Sequence, residues 1–370
     1  MMFDDIANNE KNPYPGEIYN IPNGKNVYEG VKIDYSGKFV NAEIFLNVLK
    51  GNKSGNVGKG SERVLESEAS DNVFIFYVSH GDFEILGMPV NSVVHKNDLN
   101  DAFKIMHENK MFKNMLFYLE SCRSGSMFTD LNPELNIYSI TASSDSESSH
   151  ATYCSNANGL PCIGDLFSVN WMADSETHDI QSETIGTQFN EVKKATTSSH
   201  VSEYGNKLIR SDIVAFYQGS TDNIKCPDPI TYGIGIEDVL DSSEVELLMV
   251  EKYAYQSGLK KSQVFSLMKN YTKMRTEITE FVMDFVKETV ADEKNVGKVL
   301  TMKLSKYTQN NCHKNVLKAF SQCIPFGSNP YALRFSQIFA NLCEILKNES
   351  AIIKNLNEKC QNGPLFMGVI

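Results

Sequence analysis

Two residues capable of nucleophilic chemistry, His80 and Cys122, each follow closely on a short apolar run. Cys122 lies in Met115-Leu-Phe-Tyr-Leu-Glu-Ser-Cys-Arg-Ser-Gly-Ser126, and His80 follows Val73-Phe-Ile-Phe-Tyr-Val78 in the triplet Ser79-His80-Gly81. Such short runs, rich in Phe, Tyr, Leu and Val, suit buried strands, and the small polar residues beyond them must turn the chain at a sheet edge. If the two strands lie parallel and adjacent, His80 and Cys122 meet at that edge, where open α/β sheets collect ligands. The 42 positions separating them leave room for a crossover helix. A thiol becomes a nucleophile when a neighbouring imidazole takes its proton. Gly81, with no Cβ, lets its N–H approach a substrate carbonyl oxygen, and the N–H of Cys122 would complete an oxyanion hole. Spacing alone leaves a second reading open, since an isolated Cys after a strand is commonly a small buried apolar residue.

The elements that must position this pair alternate between strand and helix. Helical spacing runs from Ala42 to Leu49, a Gly-rich loop follows over Lys50–Ser61, and a helix is expected from Asn97 or Asp98 to about Asn109 with Leu99, Phe103 and Met106 on one face. Further apolar runs, 136–141 and Ile213-Val-Ala-Phe-Tyr217, predict a third and a fourth strand. This alternation predicts a parallel sheet covered on both faces. From about Thr221 the texture changes. Cys226-Pro-Asp-Pro-Ile-Thr-Tyr-Gly-Ile-Gly235 reads as a linker, and Ser243 with Glu246 predicts a capping box opening a helix. Val264, Leu267, Tyr271, Met274, Ile278, Phe281 and Phe285 then recur at steps of three and four, the stripe of an amphipathic helix. The C-terminal third is an all-α unit.

Composition narrows the class. With 41% hydrophobic and 22% charged residues the chain is ordinary for a globular protein, and no run approaches the ~18 apolar residues of a membrane span. Residues 291–370 carry ten Lys and Arg against five Asp and Glu, net +5, so the first 290 residues carry −16 of the total −11. A basic tail on an acidic body suits docking onto that body, and the net negative charge argues against nucleic acid as a partner. Of eight cysteines, Cys312, Cys323, Cys343 and Cys360 lie in the tail, Cys154 and Cys162 bracket a short loop, and Cys122 and Cys226 stand alone. None has the C-x₂-C spacing of a zinc site, so disulfides suit those six better than a metal. Sequons at Asn52, Asn270 and Asn348 point likewise to a secretory or lysosomal protein. There is no H-E-x-x-H or G-x-S-x-G motif, and neither a metal nor another cofactor is expected.

Several motifs in one order carry a resemblance. The Met1–Ala7 segment, strand–Ser-His-Gly, strand–Glu-Ser-Cys-Arg-Ser-Gly-Ser-Met, Glu147-Ser-Ser149, the run 163–175, Ser199-His-Val-Ser-Glu-Tyr-Gly-Asn206, His313, Tyr331-Ala-Leu-Arg334 and Asn341-Leu-Cys343 resemble the legumain (asparaginyl endopeptidase) family over nearly the whole chain. The resemblance implies a caspase-like three-layer α/β/α sandwich with a mostly parallel sheet, followed by an all-α C-terminal prodomain. The implied division is a peptidase domain over 1–225, linker and activation-peptide helices over 226–290, and the prodomain over 291–370. It implies a cysteine endopeptidase acting on proteins and peptides after Asn, less readily Asp. Cys122 would be the nucleophile, His80 the general acid/base and Gly81 an oxyanion donor, with Glu120, Ser148 and Asp165 lining the S1 pocket. It pairs Cys312 with Cys343, Cys323 with Cys360, and Cys154 with Cys162. It also implies a zymogen whose own prodomain caps the site until acid and proteolysis release it, lysosomal, vacuolar or secreted placement, and cystatin-type inhibitors as partners. Protonation of the body's carboxylates would then loosen an acidic-to-basic latch.

The departures from the family pattern set further expectations. Family members carry, before the position of Met1, a signal peptide, a first strand, an Asn that orients the His, and an Arg-His pair on the pocket. A sequence without them should leave an exposed sheet edge and express poorly. Ser79 stands where the family has Asp, Glu84 where it has Gly, Ser121 where it has Ala, and Arg123 where it has Glu. Arg123 beside the thiol is expected to lower its pKa. These substitutions motivate an alternative, a catalytically silent homologue that acts by binding as an inhibitor decoy.

Overall fold

Alternation along the strands decides which residues face which layer. The computed structural model describes residues 1–3, 6–10, 12–155, 162–219, 238–303 and 307–362; Cys226 and the linker reading over 226–235 lie outside them. In chain order the elements begin with the short strands β1 (Met2–Phe3) and β2 (Tyr35–Ser36), which pair with each other, helix α1 (Ala42–Leu49) and strand β3 (Asn72–Val78). A meander follows, β4 (Gly81–Asp82), β5 (Ile85–Met88) and β6 (Ser92–His95), then α2 (Lys96–Glu108), β7 (Asn114–Glu120), β8 (Ile137–Thr141), β9 (His150–Thr152) and β10 (Gly164–Asp165). The body closes with α3 (Leu166–Thr177), α4 (Ile185–Ala195), β11 (Ser202–Gly205) and α5 (Ala215–Gln218).

The main sheet has the order β11-β8-β7-β3, with β3, β7 and β8 parallel and β11 antiparallel. On β7, Met115, Phe117 and Leu119 pack into one core with α1 and α2, while Leu116 and Tyr118 pack into a second core with α3 and α4. The second face gains edge-on contacts of Trp171 with Phe74, Phe76 and Tyr118, each worth about 0.5–1.5 kcal/mol beyond burial. These two cores make the three-layer α/β/α sandwich.

One expected strand is not a strand. Ile213 makes a single bridge to Thr184, and Ala215–Gln218 form one helical turn. Val214 and Tyr217, three apart, are buried in the α3/α4 core while Phe216 is exposed, so the run follows a helical period rather than the two-residue period of a strand. The fourth place in the sheet belongs to β11, Ser-Glu-Tyr-Gly.

Strand β12 (Val239–Asp241) adds to β9, and the helical unit follows as α6 (Val245–Gln256), α7 (Lys261–Thr289), α8 (Glu293–Thr301), α9 (Asn310–Cys323), α10 (Ser336–Leu346) and α11 (Glu349–Asn362). The expected capping box at Ser243 does not form. Ser243 lies in a 3₁₀ turn bound by N–H and hydroxyl to Asp241 Oδ1, and Glu246 is turned toward Arg275 Nη2 at 3.6 Å. The apolar stripe of α7 is present, and its second half, with Ile278, Phe281, Val282 and Phe285, enters one core with α8 to α11. Disulfides Cys312–Cys343 and Cys323–Cys360 staple α9 to α10 and α11; loops of 31 and 37 residues contribute about 4 kcal/mol each by loop closure. Cys154–Cys162 closes the loop after β9. Asn52, Asn270 and Asn348 are all exposed.

Candidate active site

The register of β3 against β7 brings the thiol and the imidazole to one level. Val78 pairs with Glu120, and Ser79 N–H still donates to Glu120 O at 3.2 Å, so the chain leaves both strands together and His80 and Cys122 each stand two residues beyond the last pair. His80, Gly81, Cys122 and Ser148 line one cavity of about 350 Å³ with Asp82, Arg123, Ser146 and Glu147. Ser243 and Glu246, together with Lys303, Tyr331, Leu333, Arg334 and Gln337 of the helical unit, close its other side.

Gly81 is required by contact. A Cβ there would lie 2.7 Å from Ser121 Oγ and 3.0 Å from Cys122 O, so any side chain would push β4 off the Cys122 turn. That turn passes through Arg123 at φ 53°, and the nearby Glu84 sits at φ 57°; both are left-handed conformations uncommon outside Gly and Asn. The Glu84 carboxylate is held by Lys96 at 3.2 Å.

Burial pushes the Cys122 thiol up to about 11, and a contact with Ser149 Oγ at 3.8 Å only partly offsets it. The expected lowering by Arg123 does not occur. The left-handed turn directs the guanidinium away, where Nη1 donates to Asp82 Oδ1 at 3.3 Å and Nη2 to Gln337 Oε1 at 2.5 Å. Burial also raises Asp82, against the pull of Arg123. The surrounding protein lowers His80, although its ring opens onto the cleft, where water limits the effect.

Glu120 and Asp165 lie behind the cleft wall rather than in it. Alternation points Glu120 to the α3 side of β7, where Oε2 accepts from the N–H and hydroxyl of Ser168, both at 2.9 Å, and Oε1 is buried without a hydrogen-bond partner. Burial and then the charge of Asp165 raise Glu120 well above the carboxylate range, and burial raises Asp165 to about 6. Ser242 stands at this pair: its hydroxyl donates to Asp165 Oδ1 at 3.3 Å and accepts from Ser149 Oγ at 3.2 Å, while its N–H donates to Ser149 O. The β12 segment is thus laid as an added strand on the edge of β9, with Ser242 reaching the carboxylates. Ser149 entered the sequence reading only as the end of the Glu147-Ser-Ser149 motif, with no role, and Ser242 and Gln337 were not singled out; these two lie 120 and 215 positions beyond Cys122, and no local pattern joins them.

A second pair of titratable groups joins body and tail. His95 of β6 and His313 of α9 meet edge-on at 6.1 Å between ring centroids, and His313 Nε2 lies 3.0 Å from Ser336 Oγ, which donates to Phe83 O. Burial, with a further push from Lys314, lowers His95 to about 3, and burial with a push from His95 lowers His313 to about 3. Asn91 bonds Phe326 N and Ser321 O across the same junction, and Leu333 joins Ile85 in the core of the helical unit. Lys314 and Asp98 add an ion pair at 2.6 Å at its rim.

Comparison with known proteins matches residues 1–220 to the Peptidase C13 family. The chain is 38% identical to legumain of Rattus norvegicus, covering 93% of this chain and 79% of that one, and 37% identical to legumain of Homo sapiens, over 93% and 80%. It is 35% identical to the vacuolar-processing enzyme beta-isozyme of Arabidopsis thaliana, over 93% and 74%. With a thiol and an imidazole held at one sheet edge and this likeness along its length, the chain belongs to the peptidase C13 family and is a legumain-like cysteine endopeptidase.

Proposed function

We propose that the protein hydrolyses peptide bonds after Asn, less readily after Asp, and that it is a zymogen closed by its own helical unit. The observation that carries this is the single cleft shared by His80, Gly81 and Cys122 and covered by Tyr331, Arg334 and Gln337. His80 takes the Cys122 proton, the thiolate attacks the scissile carbonyl carbon, and the N–H groups of Gly81 and Cys122 receive the oxyanion. His80 then protonates the leaving amine, and water, deprotonated by His80, releases the acyl group. An extended substrate would replace β12 on the edge of β9, main chain to main chain, with its Asn side chain where Ser242 now meets Asp165. There Asp165 accepts from the amide NH₂, and a neutral Glu120 donates to the amide oxygen. An Asp side chain meets a carboxylate instead, which disfavours it above about pH 6, where Asp165 is ionised. Ser148 lines the approach.

In the capped state the thiol is buried and neutral, which suits storage rather than turnover. Acid releases the cap through His95 and His313. Each is held neutral when docked and binds a proton when water reaches it, so falling pH favours the undocked state. A carboxylate latch at Asp82 has the opposite sign, because burial makes Asp82 hold its proton more tightly in the docked state. Three disulfides and three exposed sequons suit a chain folded in an oxidising compartment and delivered to a lysosome, a vacuole or the exterior. Cystatin-type inhibitors fit as partners of the opened cleft.

The second reading, a silent homologue that binds inhibitors, is favoured by one observation: the His80 and Cys122 side chains are not hydrogen-bonded, and Cys122 faces Ser149 instead. The two separate in one assay. Acid-treated protein and its Cys122→Ala variant are incubated with an Ala-Ala-Asn fluorogenic peptide. Turnover in the parent alone is expected, and equal blank rates in both would establish the silent reading.

A further inference from the structure

The opposite end of α3 from the S1 carboxylates carries a second buried carboxylate pair. Asp174 lies roughly 13 Å along the helix from Asp165 at 1.5 Å per residue. It faces Glu183 in the turn before α4, and the two are 7% and 8% exposed. Both oxygens of Glu183 are buried without a hydrogen-bond donor, although its backbone is fixed on both sides, N–H to Asp179 O at 2.9 Å and C=O from Val214 N at 3.0 Å. His178, one helical turn beyond Asp174, places Nδ1 3.2 Å from Asp174 Oδ1, and one ligating atom from each of the three lies within 4.8 Å of the others.

The surroundings hold this cluster in place. Gln188, fully buried, donates to Asp174 Oδ2 at 2.9 Å and accepts from Tyr118 OH at 2.5 Å and from Gln218 at 3.2 Å. That support occupies one oxygen of Asp174 and leaves the other toward His178, the way outer partners orient metal ligands. Glu191 adds a further negative charge near the pair. Two carboxylates facing each other in protein interior require a proton or a cation between them.

We propose that Asp174, His178 and Glu183 bind one divalent transition-metal cation, with water completing the coordination, and that it ties the end of α3 to the turn before α4. Two carboxylates with one imidazole suit Zn²⁺ better than Ca²⁺ or Mg²⁺, which take all-oxygen sites. Tetrahedral closure at bond lengths of about 2.1 Å sets ligand separations of about 3.4 Å, a contraction within reach of an exposed His178 side chain.

The test uses the full chain with Cys122→Ala and Cys226→Ala, which removes both cysteines outside the three disulfides as competing ligands, stripped with EDTA and titrated calorimetrically with ZnCl₂ at pH 7.5. One site is expected, weakened at least tenfold by Glu183→Gln and by Asp174→Asn and less by His178→Ala. Glu183→Gln leaves an amide able to donate to Asp174, so the fold survives loss of the charge. Crystals of this doubly substituted chain grown with Zn²⁺ and measured at the zinc edge give a second readout, an anomalous peak between Asp174 and Glu183. Equal affinity in all variants, absence of binding, or a zinc peak elsewhere with none at this pair would show that the carboxylates share a proton only.

Discussion

Two buried pairs of titratable groups answer acid in opposite senses. Behind the cleft, Glu120 and Asp165 are carboxylates raised by burial; at the body–tail junction, His95 and His313 are imidazoles lowered by it. One physical cause, the cost of charge in a low dielectric, neutralises both pairs near pH 7 as far as it can. Lowering the pH completes the neutralisation of the first pair and charges the second. Acid therefore relieves the cost of buried charge behind the cleft while adding to it at the body–tail junction.

The junction should show the larger effect. Its histidines contribute docking stability that is complete above about 6.5 and lost as pH falls toward about 3. At pH 5 each ring costs the docked state up to about 2 kcal/mol, by 1.36 kcal/mol per pH unit below its free value. His313→Gln keeps a donor for Ser336 O and removes the titration. Release followed by limited proteolysis against pH should begin at lower pH and with a slope shallower by about one proton; an unchanged curve would break the comparison. In the pocket the change is smaller. Asp165→Asn should lower kcat/KM for Asn peptides about tenfold, by loss of one acceptor to the amide. It should also flatten the fall in Asn-over-Asp preference that the parent shows as pH drops through about 6. Preference measured at pH 5 and 7 checks this, and a parent preference independent of pH would count against it.

These two pairs were not equally legible in the sequence. The apolar runs ending at Val78 and Leu119 marked β3 and β7, and because they pair in parallel and in register, placing His80 and Cys122 at one edge needed only those runs. Glu120 was named only through the family resemblance; its direction toward Ser168 follows from alternation along β7 once α3 covers that face. β11 left no signal, since Ser-Glu-Tyr-Gly is half-buried throughout, and Ile213–Tyr217 looked like a strand because a short apolar run does not show its period. The direction of Arg123 depended on a left-handed φ that residue type does not suggest. His95 and His313 lie 218 positions apart and became a pair only through the docking of α9 on the meander.

Charge asymmetry between body and tail suggested docking by ion pairs, and the smallest predicted effect tests that suggestion. Lys314 meets both oxygens of Asp98, at 2.8 and 2.6 Å, yet the two side chains remain 46% and 29% exposed. An exposed pair in water contributes about 0.2–1 kcal/mol and less as salt rises. The junction is also held by uncharged contacts that salt does not screen: Leu333 with Ile85, Ser336 on Phe83 O, and Asn91 on Phe326 and Ser321. Lys314→Ala should therefore shift release by no more than that amount, and raising salt from 0.05 to 0.5 M, on the order of a threefold shorter screening length, should move the parent little. It should also relieve the push that Lys314 exerts on His95, so the histidine begins to charge at slightly higher pH. A large salt dependence, or a loss on Lys314→Ala exceeding that of His313→Gln, would place the latch in surface charge and leave the buried histidines as bystanders.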